Sequence, residues 1–318
     1  MPASMRKMSA LRELFRSEPG FEMTGPDCGT FHLGEIAVET SCDPRGWLGI
    51  VAKLPWSGAS ALTLAASLLE AHGRFGHPVK FAQAEADVSV DLMVDIPQCG
   101  PGNLSVLHGV LKGWMCEGVE VFHQVRGGKG PEGPGVRSAL KQPPDADLAT
   151  VEQVGQRVEQ ALKDSCLEWS AEEAPGSYSI NLDLDEYFQK IHVEVPHGQS
   201  LLFESPLVGP SPLTADALKA LAHFLLRANR RIRFARLSLE TDPAGSNEAP
   251  DVSRKSVVAE LAWPVAQMSA LSIEKAVAAL IVAARLTRLE AEVLFDPGAA
   301  QAYLGMSGKE RQQWEAQL

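Results

Sequence analysis

The chain has 318 residues, of which 45% are hydrophobic and 22% are charged, and its formal net charge is −11. This length allows about two domains, each able to bury its own core. The negative charge argues against a nucleic-acid binder or an anionic-membrane binder, because either needs a clustered basic face. An acidic surface serves solubility or attracts a basic partner.

The cysteines and the amino terminus indicate a cellular compartment. The five cysteines are widely spaced without a CxxC pair, in a chain too long to depend on disulfides. The amino terminus lacks the continuous apolar core of a signal peptide, and no window approaches the ~20 apolar residues that span a bilayer. We therefore expect reduced thiols, no membrane association and a cytoplasmic protein.

Helix-like and strand-like patterns alternate along the first half. The clearest strand is 88–96, where Val, Leu and Ile alternate with polar residues, so that one face is expected in the core and the other in solvent. The predicted elements are a helix at 4–16, two or three strands that include 30–41 and 47–54, a helix at 59–72, strands at 79–84 and 88–96, and a helix at 104–122. A further first strand, near 24–30, has the weakest pattern because that segment is rich in Gly and Pro.

The segment Val125–Asp147 has no apolar periodicity and is rich in Gly and Pro, which predicts a solvated linker. Similar patterns return after it. Ser211-Pro212 is expected to open a helix, because Ser is a good N-cap and Pro is tolerated in the first turn. The predicted elements are a helix at 148–167, strands at 178–184, 188–195 and 199–205, a helix at 211–228, strands at 232–241 and 256–263, and a helix at 272–295.

The last of these helices is the most apolar in the chain, with Ile273, Val277, Leu280 and Leu289 among its apolar residues. The tail, 296–318, begins with a Pro-Gly stop and ends in a polar, helix-like run that contains Trp314. It either docks on a domain or is a disordered segment tethered by that aromatic residue.

Matched spacings indicate an internal duplication. Ile36-Ala37-Val38-Glu39 matches Ile191-His192-Val193-Glu194, and Pro97-x6-Leu104-Ser105 matches Pro264-x6-Leu271-Ser272. Phe81-Ala82 and Phe234-Ala235 are both expected to start the fourth strand. The predicted fold is α+β, two tandem α-β-β-β-α-β-β-α domains, each with a five-stranded antiparallel sheet and helices on its apolar face. The predicted boundaries are 1–124 and 148–295 for the domains, 125–147 for the linker and 296–318 for the tail.

This element order, in acidic units that end in an Ala/Leu-rich helix, resembles the class I type III secretion chaperones and the related YbjN-like proteins, one copy per half. The resemblance implies a homodimer-like scaffold that holds an extended segment of a client protein. Because this chain is a tandem, the two halves are expected to form an intrachain pseudo-dimer in a monomer.

Two groups of residues are candidates for partner binding. Asp91 and Asp95 are expected on one sheet face with Glu35, Glu39, Glu85 and Asp87, which is either a solvated surface or a docking face for a basic segment. A metal site is disfavoured there, because residues i and i+4 of a strand lie about 13 Å apart. Four aromatic residues either pack in the core or line a peptide groove; they are Trp47, Trp56, Phe188 and Phe203, of which Trp47 and Phe188 are the better candidates for exposure.

The sequence contains no G-x-S-x-G elbow, no H-E-x-x-H motif and no functional phosphate loop, so it predicts no catalytic residue, cofactor or metal. The favoured hypothesis is a non-enzymatic, chaperone-like protein-binding module. The alternatives are a YbjN-like regulatory or sensory domain pair that binds a small ligand or regulatory partner, and an enzyme whose site has no recognisable motif.

Overall fold

A computed structural model describes residues 11–316, except 12–13, 16–17, 43–46, 56–60, 73–74, 76, 84–88, 97–103, 128–147, 175, 185–186, 196–199, 242–253 and 265–267. The chain is an α+β protein with two compact units. Unit 1 consists of Met1–Ala61 and Val79–Pro131, and unit 2 of Leu62–Pro78 and Glu132–Leu318. Within the described range, no helix is long and apolar enough to cross a membrane.

The first half of the chain follows the predicted alternation. Leu11 and Leu14, from the predicted first helix, are helical and buried. The later elements are β1 Glu22–Gly25, β2 Cys28–Leu33, β3 Ile36–Cys42, β4 Leu48–Pro55, α1 Ala61–His72, β5 Val79–Gln83, β6 Ser89–Ile96 and α2 Leu104–Arg126.

The second half repeats this series of elements and adds two short helices. Its elements are α3 Leu148–Lys163, β7 Trp169–Ala171, β8 Ser177–Leu184, β9 Tyr187–Glu194, β10 Ser200–Pro212, α4 Ala215–Arg231, β11 Arg236–Thr241, β12 Arg254–Pro264, α5 Ala270–Leu294, α6 Pro297–Gly305 and α7 Gly308–Ala316.

The two sheets have the same topology. The first has the strand order β1-β2-β3-β4-β6-β5 and the second β7-β8-β9-β10-β12-β11, with antiparallel pairing throughout. The prediction of an α+β protein with two antiparallel sheets is confirmed. Each sheet has six strands, however, so the predicted count of five is wrong. Four strands, not three, precede the middle helix of each half.

The missing strands have local causes. Residues 30–41 are predicted as one strand but form the β2–β3 hairpin, whose turn contains Gly34 in the left-handed region (φ +61°). Glycine adopts that conformation without steric cost, so Gly34 marks a turn inside what looks like one continuous strand in the sequence. In the second half, β7 has only three residues and too few alternations to give a period-2 pattern.

Three other boundaries differ from prediction. Ser211-Pro212 ends β10, and α4 begins three residues later, where the Thr214 side chain accepts a hydrogen bond from the Ala217 amide. Phe234-Ala235 lies in the turn before β11 and does not start a strand; Phe234 has a φ of +68°. Helix α2 continues through Arg126, so the first residues of the predicted linker are helical, and the rest of that linker lies outside the described residues.

Helix α1 belongs to unit 2, although the predicted boundaries place it with the first half. Its Glu70 carboxylate accepts a 2.6 Å hydrogen bond from Lys255 Nζ, and His72 Nδ1 lies 2.8 Å from the Leu237 carbonyl on edge strand β11. The Asn229 side chain also bonds the Leu237 backbone amide and carbonyl. Side chains therefore satisfy the backbone groups of Leu237 at the edge of β11, which hinders pairing with another strand at this point.

Candidate protein-binding surface

Helix α5 begins at a capping box, in which the Ser269 and Ser272 side chains bond each other's backbone amides. The helix packs on β10 and β12 and also contacts α3, α4 and α6. Its inner side is fully buried and rich in alanine, which lets the helix approach the sheet closely. That side includes Ile273, Ala276, Val277, Leu280, Ala283, Ala284, Thr287, Ala291 and Leu294.

The outer side of α5 is apolar as well. Of the six large hydrophobic side chains that are exposed in the described chain, five are on this helix. Four of them, Val282 (53% exposed), Leu286 (53%), Leu289 (68%) and Val293 (50%), form what we call the apolar stripe. The fifth, Leu271, lies at the start of the same helix. A cluster of this kind is unusual on a soluble protein and indicates an interaction site.

The spacing of the stripe makes it a continuous surface. Its members are separated by four, three and four residues. Since helix residues follow each other at about 100°, all four fall within a sector of about 60° on the side opposite Leu280 and Ala284. The helix is thus apolar on two opposite sides, and the packing of unit 2 uses only one of them.

Charged residues border the stripe. Arg285 and Glu292 are exposed on one flank, and Arg288 Nε donates a 3.0 Å hydrogen bond to Glu292 Oε1. On the other flank Glu290 is buried, and burial raises the pKa of its carboxyl group. Among the described residues, Glu290 Oε2 has no hydrogen-bond partner.

Helices α6 and α7 dock on α4, so the tail is a docked segment and not a disordered one over its described residues. Tyr303 is buried, and its ring stands edge-on to Trp314 and His223. Trp314 also meets Phe224 of α4 edge-on. The described tail residues through Ala316 are therefore a packed part of unit 2.

His223 lies at the centre of this contact. Its Nδ1 is 3.2 Å from the Tyr303 hydroxyl, and its Nε2 is 3.1 Å from Arg311 Nη1. Burial, with Arg311 and Arg227 close by, lowers the pKa of His223 to about 3. The ring is thus neutral near pH 7, and one nitrogen can accept the hydrogen bond that Arg311 donates.

The structure separates the four aromatic candidates. Phe188 is 63% exposed on β9, as expected. Phe203 is buried in the core of unit 2, and Trp47, the other candidate for exposure, is half-buried. Trp56 lies outside the described residues. Of the three candidates that the structure describes, only Phe188 therefore presents a largely exposed ring.

The acidic face differs from its prediction. Asp91 is expected in solvent but is only 1% exposed, so this expectation is wrong; Lys53 and Ala82 are its neighbours on the adjacent strands. Asp95 lies 3.0 Å from the buried ammonium group of Lys80. Alternation along β6 correctly separates its two faces, but it does not reveal that the outer face is covered at Asp91.

Unit 2 contains a polar cluster that the sequence does not reveal. Arg236 donates to Glu260 from Nε (2.9 Å) and from Nη2 (2.7 Å), and its Nη1 donates to the His77 carbonyl at 2.6 Å. Glu204 and Glu240 lie near Glu260, with oxygens within 4.8 Å of one another. The Arg236 guanidinium already balances the charge of Glu260, the most buried carboxylate of the cluster. We therefore interpret the cluster as a structural ion pair that joins the segment after α1 to the sheet.

Unit 1 contains an open groove of about 480 Å³ between the β2–β3 turn and α2. Leu33 and Val119 supply apolar lining, and the ionisable side chains around it are His32, Lys112, Cys116, Glu120 and His123. Lys112 bonds both oxygens of Glu18 at 2.8 and 3.0 Å. The groove has the size of a small-molecule site but is shallow and widely open.

No protein-family model matches the chain, and no curated protein matches it either. Its function must therefore be inferred from its own residues. The apolar stripe has the strongest signal among them, and the sequence contains a trace of it: Leu289, named among the apolar residues of the last predicted helix, is the most exposed member. Apolar residues on more than one side of a surface helix are the pattern that could have revealed it.

Proposed function

We propose that this chain is a non-enzymatic, chaperone-like protein-binding module, and that the apolar stripe of α5 is its main docking surface. One observation carries the proposal: four large apolar side chains are at least half exposed on one side of a helix whose other side is buried. Covering such side chains gains roughly 25 cal/mol per Å² of apolar area, which favours a protein partner.

Two further features support the intrachain pseudo-dimer in this proposal. The two sheets share one strand order, as two copies of a single ancestral unit would. Helix α1, from the first half, is built into the compact unit of the second half through Glu70 and His72. The first half of the chain thus contributes a helix to the packing of unit 2.

The test measures binding of extended peptides through the stripe. The probes are fluorescent peptides of about 15 residues that combine spaced Leu or Val with basic residues, to suit an acidic protein. We expect saturable binding that falls at least about tenfold in the double variant Leu286→Glu/Leu289→Glu, because each new carboxylate would have to be desolvated against an apolar peptide.

A matched control places the same two charges, also three residues apart, at exposed positions of helix α3, as Gln153→Glu/Gln156→Glu, and should bind like the wild type. Equal binding by the wild type and the stripe variant would contradict the proposal, as would failure of every peptide to bind. Circular dichroism of both variants confirms that they are folded.

The groove of unit 1 favours a second candidate function, the binding of a small ligand in a regulatory domain. Its volume suits a metabolite, and its ionisable lining suits a polar one. A thermal-shift screen tests this candidate with the wild type and with Val119→Trp, which fills the groove. A stabilising ligand whose effect disappears in the filled variant would support it; no hit in the wild type would count against it.

A further inference from the structure

We infer that the partner of the apolar stripe is a second copy of this chain, bound through antiparallel pairing of the two α5 helices. The inference rests on the proposed function, because it names a partner for the same surface. It replaces the monomer expected from the sequence with a symmetric dimer, in which one surface on each copy covers its own equivalent.

The spacing of the stripe fits a helix pair. Successive members of the stripe are four, three and four residues apart, which is the spacing of positions a and d in a heptad repeat. The members are Val282, Leu286, Leu289 and Val293. If Leu286 and Val293 are assigned to heptad position a, then Val282 and Leu289 fall at heptad position d. Knobs-into-holes packing buries such residues against the same positions of another helix, so the stripe complements itself.

The register follows from two-fold symmetry. An axis between Thr287 and Arg288 places Leu286 opposite Leu289 of the second copy, and Val282 opposite Val293. All four layers are then apolar, because each pair occurs twice. Shifting the axis by a full heptad would bring Lys275 or the end of the helix into the seam and leave fewer matched layers.

The flanking charges select the antiparallel orientation. In that arrangement Arg285 borders the Leu286 layer together with Glu292 of the second copy, and the opposite charges meet twice. A parallel pair would bring each g position beside the e position five residues further on. Arg285 would then face Glu290, whose carboxylate is buried, and Glu292 would face Pro297. Only the antiparallel pair gives both residues an exposed opposite charge.

The size of the stripe sets the strength of the dimer. It covers about three helical turns, so it buries less than the ~800 Å² per partner of a standard interface. We therefore expect association in the micromolar range, with a monomer at low concentration whose stripe is free for a peptide. Self-pairing and peptide binding then compete for one surface.

Sedimentation equilibrium between about 1 and 200 µM tests the inference. The wild type should shift from monomer to dimer, and Leu286→Glu/Leu289→Glu should raise the dissociation constant at least about tenfold. The control Gln153→Glu/Gln156→Glu should associate like the wild type. A wild type that stays monomeric throughout, or a stripe variant that dimerises normally, overturns the inference.

Charge exchange tests the orientation. Arg285→Glu and Glu292→Arg should each weaken self-association, because each variant brings like charges together across the axis. An equimolar mixture of the two should recover dimerisation, since every flanking pair in the mixed dimer is again of opposite sign. A mixture no tighter than either variant alone contradicts antiparallel pairing.

The peptide assay at about 1 µM protein or lower separates this inference from the proposed function. Stripe-dependent peptide binding by a chain that never dimerises refutes the inference and leaves the function standing. Dimerisation without any peptide binding supports the inference and refutes the client-holding function.

Discussion

Helices α2 and α5 occupy the same place in the two halves, each directly after the last strand of its sheet, yet their outer sides differ. The outer side of α2 carries Cys116, Glu120 and His123, and the outer side of α5 carries the apolar stripe. Packing on a sheet requires only that the inner side of each helix be apolar. The outer side is free to vary, so a large apolar surface there indicates a role beyond folding.

The inner sides satisfy the packing requirement in different ways. Helix α2 buries Leu111, Met115 and Phe122, and comes close to β6 at Gly118, where a Cβ would lie 2.6 Å from a Leu92 methyl carbon. Helix α5 buries small alanines along its length. Both helices are thus fixed by their inner contacts, and neither needs its outer side to hold its place.

The largest expected effect separates the two sides of α5. Leu280→Ala, on the inner side, should lower the free energy of unfolding by about 2–5 kcal/mol, because it leaves a cavity at a fully buried position. Leu289→Ala, on the stripe, should change it by less than about 0.5 kcal/mol in dilute protein. Urea unfolding at low protein concentration measures both changes. If Leu289→Ala lowered the free energy of unfolding as much as Leu280→Ala, the stripe would contribute to folding and not to docking.

The next effect concerns the docked tail. The described residues of the first half contain no counterpart to it. His223 has a pKa of about 3 when folded and about 6.5 when unfolded, so the unfolded chain takes up its proton first as the pH falls. Its contribution to stability is complete above pH 6.5 and is lost progressively towards pH 3, by about 1.4 kcal/mol per pH unit.

His223→Gln should remove this dependence while keeping a hydrogen-bonding group beside Tyr303. Urea unfolding at pH 7, 6 and 5 should show a smaller loss of stability on acidification in the variant than in the wild type. Parallel pH profiles for the two proteins would mean that His223 titrates normally and is not held by Arg311 and the tail.

The smallest effect concerns Glu290, beside the stripe. Its folded pKa is raised, so stability falls as the pH rises from the unfolded value of 4.5 through the folded value, and the penalty remains at pH 7. Glu290→Gln should therefore stabilise the protein at pH 7 by up to about 1 kcal/mol and have no such effect near pH 4. Thermal melts at the two pH values measure this; destabilisation at pH 7 would show that the carboxylate has a stabilising partner.

Regular periodicity and local spacing made most of the fold predictable. Strand β6 and helices α1, α2 and α5 were found within a few residues, because their apolar residues recur with a clear period. The β2–β3 hairpin was missed, since Gly34 interrupts an otherwise continuous strand pattern. No local pattern reports that α1 packs in unit 2, because this depends on contacts between residues more than 150 positions apart, such as His72 and Leu237.

The site was harder to predict for a related reason. Alternation places Asp91 and Phe188 on the outer faces of their sheets, but an outer face can be covered, as it is at Asp91, or free, as it is at Phe188. The apolar residues of α5 were recognised, but periodicity alone does not say which of two apolar sides meets the sheet. Tertiary packing determines which apolar side of α5 contacts the sheet, and the stripe is the side that stays exposed.

Methyl NMR over a concentration series tests the central claim most directly, that the stripe is a docking surface. Spectra of Val- and Leu-labelled protein between about 10 and 200 µM should show shifts or broadening at Val282, Leu286, Leu289 and Val293 as the concentration rises. Buried methyl groups of the same unit, such as those of Val257, should stay unchanged. Stripe signals that are independent of concentration and of added peptide would contradict the account.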